Sequence, residues 1–174
     1  YGVPGHISID GWENKTGHVH GGQRLVLGLH DNHAGLNRSY LCKDKTAHAP
    51  AIDKGLTWWK GRLGVTPIRA HADNAPDLIK GAAGEVLRAH QVYQTSCAPY
   101  DPKGNGMRER GWQTQANDAA KALHAARLPD AFGWYAWRDA ERKSYCIPRK
   151  YADGSWSVPW LKATGRRPNA LVEV

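Results

Sequence analysis

Three acidic residues have the types and the spacing of a site that binds divalent cations. Asp10 and Asp73 each end a short segment with the pattern of a strand, at residues 6–10 and 66–73, and Glu109 stands early in a long helical pattern. The interval between Asp73 and Glu109, residues 74–108, contains 35 residues. Two carboxylates held close together repel unless a cation lies between them, and Mg²⁺ prefers oxygen ligands. Taken singly, each acid also fits an ordinary place, at the end of a strand or in a first helical turn.

The elements that must position these acids follow the order βββαβαβαα. We predict strands at residues 6–10, 24–30, 36–42, 66–73 and 92–95, and helices at residues 50–63, 77–87, 107–127 and 129–145. Strands followed by helices and further strands indicate an α/β fold, a five-stranded mixed sheet flanked by helices. Right-handed crossovers would place the first and fourth strands side by side, so that Asp10 and Asp73 meet at one edge of the sheet.

Length and composition narrow the classes of protein. The 174 residues show no internal repeat or linker, so we expect a single domain over 1–174, with about 147–174 as an extension packed on or trailing the core. The 24 Lys and Arg against 16 Asp and Glu give a net charge of +8, which favours a polyanionic partner. Eight Trp argue against disorder, and the absence of a long apolar run predicts no membrane partner. Three widely spaced Cys exclude a disulfide scaffold and favour an intracellular location.

Local strings around the acids carry a resemblance to a known family. Residues 71–74 read HADN, residues 97–110 read CAPYDPKGNGMRER, and the segment 159–168 has a P…G..P pattern. With the 35-residue interval before Glu109, these strings resemble the catalytic core of retroviral-type integrases, within the copia-type retrotransposon branch. The resemblance covers nearly all of the chain, and the acid frame with the NGxxER string is its most specific part.

This resemblance implies a ribonuclease-H-like fold and DNA integration. A polynucleotidyl transferase of this kind joins the 3′-hydroxyl ends of element DNA to target DNA by two-metal phosphoryl transfer, and water replaces the hydroxyl where ends are trimmed. Asp10, Asp73 and Glu109 would be both the catalytic residues and the ligands of two Mg²⁺ ions, for which Mn²⁺ can substitute. The implied partners are double-stranded DNA and further copies of the chain, in the nucleus or in a virus-like particle of a eukaryotic host.

Polar residues beside the acids complete the predicted site. The expected DNA contacts are Lys103, Asn105, Arg108 and Arg110, although basic residues here also fit a solvated charged face. His71 and Asn74 are expected to support the acids by hydrogen bonds, and His71 equally fits an ordinary sheet histidine. Tryptophans at 58, 59, 112, 134 and 137 fall at helical spacing and indicate core or subunit interface.

The sequence departs from the family at two places. Ala75, Pro76 and Asp77 follow Asn74, where the family commonly has Gly and then an acid, and Gln113 and Ala116 stand where integrases often carry basic residues. Two alternatives therefore stay open. One is a transposase of the insertion-sequence type, which shares the three acids, and the other is a non-catalytic relic that binds DNA or self-associates.

Overall fold

The main sheet has five strands and both parallel and antiparallel pairs, as predicted. The structure, a computed structural model, describes residues 3–13, 23, 25–72, 78, 80–96 and 106–168, and of residues 106–109 it describes the backbone alone. The strands lie in the spatial order β3-β2-β1-β4-β5, with β1, β2 and β3 antiparallel and with β1, β4 and β5 parallel. Their bounds are β1 (His6–Glu13), β2 (Leu25–Asp31), β3 (Asn37–Cys42), β4 (Arg69–Ala72) and β5 (Tyr93–Ser96).

Helices follow the strands in the predicted order. Their bounds are α1 (His48–Trp58), α2 (Gly81–Ala89), α3 (Gly106–Ala126), α4 (Gly133–Ser144) and α5 (Pro159–Thr164). A π-helical turn, Trp59–Leu63, extends α1, and it ends at Gly64, whose φ of 65° is a left-handed conformation that glycine adopts at little cost.

The two faces of the sheet bury different helices. Because successive strand residues point to opposite faces, Ile7 and Ile9 of β1 face one side, while Ser8, Asp10 and Trp12 face the other. The first side packs against α1 and α2 around side chains such as Leu29. The second side packs against α3 and α4, and its apolar cluster includes Trp12 of β1.

The crossover prediction for β1 and β4 is confirmed. The two strands are parallel neighbours, and Ile9 is paired with Ala72. The strand β4 begins at Arg69, three residues later than predicted, because Ile68 uses its backbone N–H to bond with the Gly5 carbonyl oxygen at 2.8 Å before the ladder starts.

A buried carboxylate joins α4 to β3. Glu141 is fully buried, and its Oε2 accepts a hydrogen bond from the Ser39 backbone N–H at 2.8 Å. Its Oε1 accepts from the Tyr145 hydroxyl at 3.0 Å and from Arg138, and Arg38 Nη1 lies 3.7 Å away. Burial raises the pKa of Glu141, and the two guanidinium groups oppose that rise. The network fixes the helix whose Trp137 supports the site described below.

The chain after α4 contributes elements that the sequence did not predict. A two-stranded hairpin, β6 (Arg149–Lys150) and β7 (Trp156–Ser157), is followed by α5. Arg149 donates to the Gly35 carbonyl oxygen at 3.3 Å, and Trp160 of α5 is buried. These contacts hold the segment against the core, while the assignment of 1–174 to a single domain stays a prediction. Among the described helices, none is long and apolar enough to cross a membrane.

Candidate catalytic site

Asp10 lies within β1, three residues before the strand ends, whereas the sequence predicted a strand that ends at Asp10. The strand continues to Glu13 because its pairing with β2 continues. Asp10 lies just beyond the last pair of the ladder between β1 and β4. Its backbone is paired with Gly28 of β2, and its side chain is half-buried. On the other side of β1, the residue before it, Ile9, is paired with Ala72. Asp73 follows Ala72 in the sequence, but Asp73 and Asn74 lie outside the described residues. The described part of the chain therefore supplies the adjacency of the two strands and leaves the meeting of the two carboxylates a prediction.

Trp112 of α3 contacts Asp10 directly. Its Nε1–H donates a hydrogen bond to Oδ2 of Asp10 at 3.1 Å. The indole ring lies over Gly28, where a Cβ would stand 2.2 Å from Cη2 and 2.4 Å from Cζ2 of the ring. The ring also packs against Trp137 of α4, with 5.5 Å between ring centroids, and Trp137 stacks on Trp12 at 5.0 Å. The predicted core role of Trp137 is confirmed, and Trp112 adds a polar contact that the sequence analysis missed.

Glu109 lies in the first turn of the helix that carries Trp112. The helix begins at Gly106, and position 109 is its fourth residue. Trp112 follows three residues later, after about one turn of the helix. The side chains of Arg108 and Glu109 are not described, and Lys103 and Asn105 lie outside the described residues. Helix α3 thus places position 109 about one turn from the residue that bonds Asp10, and the meeting of the Glu109 carboxylate with the other acids stays a prediction.

A polar row crosses the same face of the sheet, beside Asp10. Ser8 is paired with His71 of β4 and with His30 of β2, so these three side chains share one face. Nδ1 of His71 lies 3.1 Å from Oγ1 of Thr95 on the neighbouring strand, a contact typical of a histidine with a structural place in a sheet. The predicted support of Asp73 by His71 stays a prediction.

A cleft of about 680 Å³ opens between this row and α3, and Arg110 lines it. Its opposite wall includes Arg149 and Lys150 of the β6–β7 hairpin. Within the described part of the chain these three cations have no carboxylate partner, whereas Lys162, also in the cleft, is paired with Asp153 at 3.2 Å. Burial lowers the pKa of the Arg149 guanidinium. The cleft therefore offers excess positive charge next to the helix of Glu109.

The donor set fits a hard divalent cation. The candidate ligands Asp10, Asp73 and Glu109 are all carboxylates, and oxygen is the ligand that Mg²⁺ and Mn²⁺ prefer. A carboxylate offers about four lone-pair positions, and the indole N–H of Trp112 uses one of those of Asp10. The described residues contain no group of three His, Cys, Asp or Glu side chains arranged as metal ligands, but two of the three candidate side chains are outside that description.

Comparisons with known proteins identify the fold. No protein-family model and no curated protein matches the sequence. The catalytic core domain of BIV integrase matches with a TM-score of 0.63 and 16% identity over 92% of this chain and 94% of that chain. The HTLV-2 integrase catalytic core domain in complex with magnesium, in a trimeric form, matches with a TM-score of 0.67 and 16% identity over 94% and 99%. A chain of the simian T-cell lymphotropic virus intasome in complex with PP2A regulatory subunit B56 gamma matches with a TM-score of 0.71 and 17% identity, over 95% of this chain and 56% of that chain.

These matches define the class of fold. The chain has the ribonuclease-H-like fold of retroviral integrase catalytic cores, as predicted. It spans little more than half of the matched intasome chain, 56% of its length.

Proposed function

We propose that this chain is the catalytic core of an integrase from a copia-type retroelement. Within the integrase-core fold, the main support for the proposal is the adjacency of the strands and the helix next to the three acids. The strand of Asp10 pairs with the strand that directly precedes Asp73 in the sequence, and the helix that contains position 109 is hydrogen-bonded to Asp10 through Trp112. Three acids distant in sequence are thereby attached to elements that adjoin one another, which a merely structural role for each acid would not require.

The reaction is the exchange of one phosphodiester for another. The 3′-hydroxyl of the element's DNA attacks a phosphorus atom of the target strand, a new P–O bond forms, and the bond to the target's 3′ oxygen breaks. The proton of the attacking hydroxyl is lost to solvent, and the leaving 3′ oxygen takes up a proton. Because the number of phosphodiesters is unchanged, the reaction needs no ATP, and it also runs in reverse on a branched product.

The three acids have the role of holding charge at the reacting phosphate. Asp10, Asp73 and Glu109 would hold two Mg²⁺ ions, or Mn²⁺ in their place, which supply positive charge to the phosphate oxygens in the transition state. The half-buried Asp10 anchors this set on a rigid central strand, where its carboxylate is oriented by the indole N–H. His71 and Asn74 are proposed to support Asp73.

Double-stranded DNA is the proposed partner, and the cleft is its proposed path away from the acids. Arg110, Arg149 and Lys150 supply cations without carboxylate partners in the described part of the chain, and Lys103, Asn105 and Arg108 precede Arg110 in the sequence. Arg110→Ala should lower the slope of log K against log[salt] by about 0.9, because one fewer phosphate is neutralised. Lys143→Ala, in an exposed pair with Asp139 on α4 outside the cleft, should leave the slope unchanged.

Strand joining of a labelled oligonucleotide into plasmid DNA tests the catalytic proposal. We expect product only with Mg²⁺ or Mn²⁺, and a loss of at least about 100-fold in Asp10→Asn, Asp73→Asn and Glu109→Gln, since each removes a charged ligand. Asp139→Asn, which removes an exposed carboxylate of α4 outside the cleft, is the matched control and should keep full activity. Circular dichroism checks that each variant is folded, and a branched oligonucleotide tests the reverse reaction.

Three outcomes would contradict the proposal. Activity that survives Asp73→Asn would refute the metal role of the acids. DNA binding with no metal-dependent joining or reversal by the folded parent would favour the non-catalytic relic. Processing of both strands of an excised DNA-only element would favour the insertion-sequence transposase instead.

Self-association and location are further parts of the proposal. Exposed apolar side chains, Leu128, Phe132 and Tyr135, lie at and beside the connection from α3 to α4, and this exposure supports a homo-oligomer. Light scattering should give a mass above that of one chain, and Phe132→Ser should lower it. We propose an intracellular location, in the nucleus or a virus-like particle, and limited proteolysis should leave 1–174 as one domain.

A further inference from the structure

We propose that Trp112 is the positioning residue of the acid site. Its indole N–H orients the Asp10 carboxylate, and its ring fixes the distance between the strand of Asp10 and the helix of Glu109. The proposal rests on the function proposed above, and it adds a residue that has no metal-binding or acid–base chemistry of its own.

The hydrogen bond between Trp112 and Asp10 supports this role. An indole N–H is a donor only, so its sole polar use is to approach an acceptor, and here that acceptor is Oδ2 of Asp10 at 3.1 Å. The bond joins residues 102 positions apart and connects a strand to a helix. A hydrogen bond to an ionised group is stronger than one between neutral groups, so this contact restricts the torsions of the Asp10 side chain.

The ring of Trp112 packs into a gap that a glycine leaves in the sheet. Gly28, the partner of Asp10 across the ladder, leaves the space that the six-membered ring of Trp112 fills. Any larger residue at position 28 would place its Cβ 2.2 Å from that ring, well inside contact distance. Trp137 packs on the ring from α4. Sheet and neighbouring helix therefore confine the ring, and the N–H direction is set by packing rather than by the hydrogen bond alone.

Trp112 is close to Glu109 along the helix α3. Trp112 stands three residues after Glu109, which corresponds to a rise of about 4.5 Å along α3. Since the ring contacts both Gly28 and Trp137, the first turns of α3 are held close to the strand β2 and to α4. Carboxylates that share cations must be placed to within about 0.5 Å, and groups that support such ligands have correspondingly large effects on metal affinity.

The test replaces one atom of the indole. Incorporation of β-(3-benzothienyl)alanine at position 112 exchanges the N–H for sulfur in a bicyclic ring of the same shape, so that the packing on Gly28 is retained. The matched control is the same replacement at Trp137, whose buried Nε1 has no hydrogen-bond partner in the described part of the chain. A third chain carries 7-azatryptophan at position 112, which keeps the N–H and should restore the parent's behaviour.

The readout is Mn²⁺ affinity, measured on the full chain from the electron paramagnetic resonance signal of free Mn²⁺. We expect binding weakened about 10-fold or more by the sulfur analogue at position 112, and within twofold of the parent for the control and for azatryptophan. Asp10→Ala defines the affinity without the site. Thermal unfolding is followed in parallel, because a purely structural role would lower the melting temperature and leave Mn²⁺ affinity unchanged.

The outcomes separate the two proposals. If the parent binds Mn²⁺ and Asp10→Ala does not, but the sulfur analogue at position 112 binds as the parent does, the positioning role of Trp112 is wrong and the proposed function stands. If the parent and Asp10→Ala bind Mn²⁺ equally weakly, both proposals are wrong. An equal loss from the analogue at Trp137 would also overturn the role of the N–H, because the effect would then come from the aromatic stack.

Discussion

The close approach of Trp112 to Gly28 makes Gly28→Ala a severe substitution for its size. A methyl group at position 28 would lie 2.2 and 2.4 Å from two carbon atoms of the indole ring. The ring is rigid, and it is packed against Trp137 at a centroid distance of 5.5 Å. The added carbon must therefore displace Trp112 and, with it, the first turns of α3.

The expected cost in stability depends on whether the ring stays in place or moves away. Overpacking of a filled site costs about 1–3 kcal/mol. If the ring moves away instead, the hydrogen bond to the Asp10 carboxylate is lost, which costs about 1.5–3 kcal/mol. Alanine recovers about 0.5–1 kcal/mol relative to glycine within a strand. We therefore expect the free energy of unfolding to fall by about 1–2 kcal/mol.

Urea denaturation of the parent and four variants measures this effect. Gly11→Ala is the matched control, because among the described residues a Cβ at position 11 meets only Cε1 of His48, at 4.0 Å, and it should be neutral or slightly stabilising. In a Trp112→Ala background, Gly28→Ala should also be neutral or stabilising, since the ring that it strikes is gone. A cost below about 0.5 kcal/mol, or the same cost with and without Trp112, would refute the reasoning.

Two further predictions concern charged groups away from the acids. Glu141→Ala should lower the free energy of unfolding in urea by about 3–5 kcal/mol, because it leaves two partly buried guanidinium groups and the buried Ser39 N–H unpaired. Asp139→Ala in an exposed pair on the same helix should cost less than about 1 kcal/mol, and equal costs would refute this reasoning. The hydroxyl and the backbone N–H of Ser155, with Lys162, lower the pKa of Asp153 to about 2, so its stabilising effect is present above pH ~4 and is lost as the pH falls through about 2. Ser155→Ala should raise that pKa in a carboxyl NMR titration, and an unchanged midpoint would show that the hydroxyl is not the cause.

The strands and helices were predictable because their periodicity is strong and their crossovers have one hand. The adjacency of β1 and β4 follows from that handedness, and pairing of Ile9 with Ala72 confirms it. The β6–β7 hairpin was not predictable, because each strand has two residues and no periodicity. The π-helical turn after α1 has no pattern of its own, since it arises where Trp59 and Leu63 pack into the core.

The three acids of the candidate site were predicted from the sequence, and their meeting stays a prediction, whereas the contact of Trp112 with Asp10 was not predicted. Asp10 lies just beyond the pair of Ile9 with Ala72 that the element order indicates. Trp112 appears in the sequence as one more apolar residue at helical spacing. One signal was present in Gly28, a lone glycine inside the apolar segment LVLGLH, which indicates that another group approaches the strand closely. The identity of that group depends on a contact between residues 102 positions apart, which local patterns do not encode.

Diffraction from a crystal soaked in Mn²⁺, recorded at the manganese absorption edge, tests the central claim most directly. We expect anomalous peaks within about 2.1–2.3 Å of carboxylate oxygens from Asp10, Asp73 and Glu109, with the Trp112 indole still bonded to Asp10. Manganese bound only at other side chains, with the Glu109 carboxylate held by an unrelated partner, would contradict it.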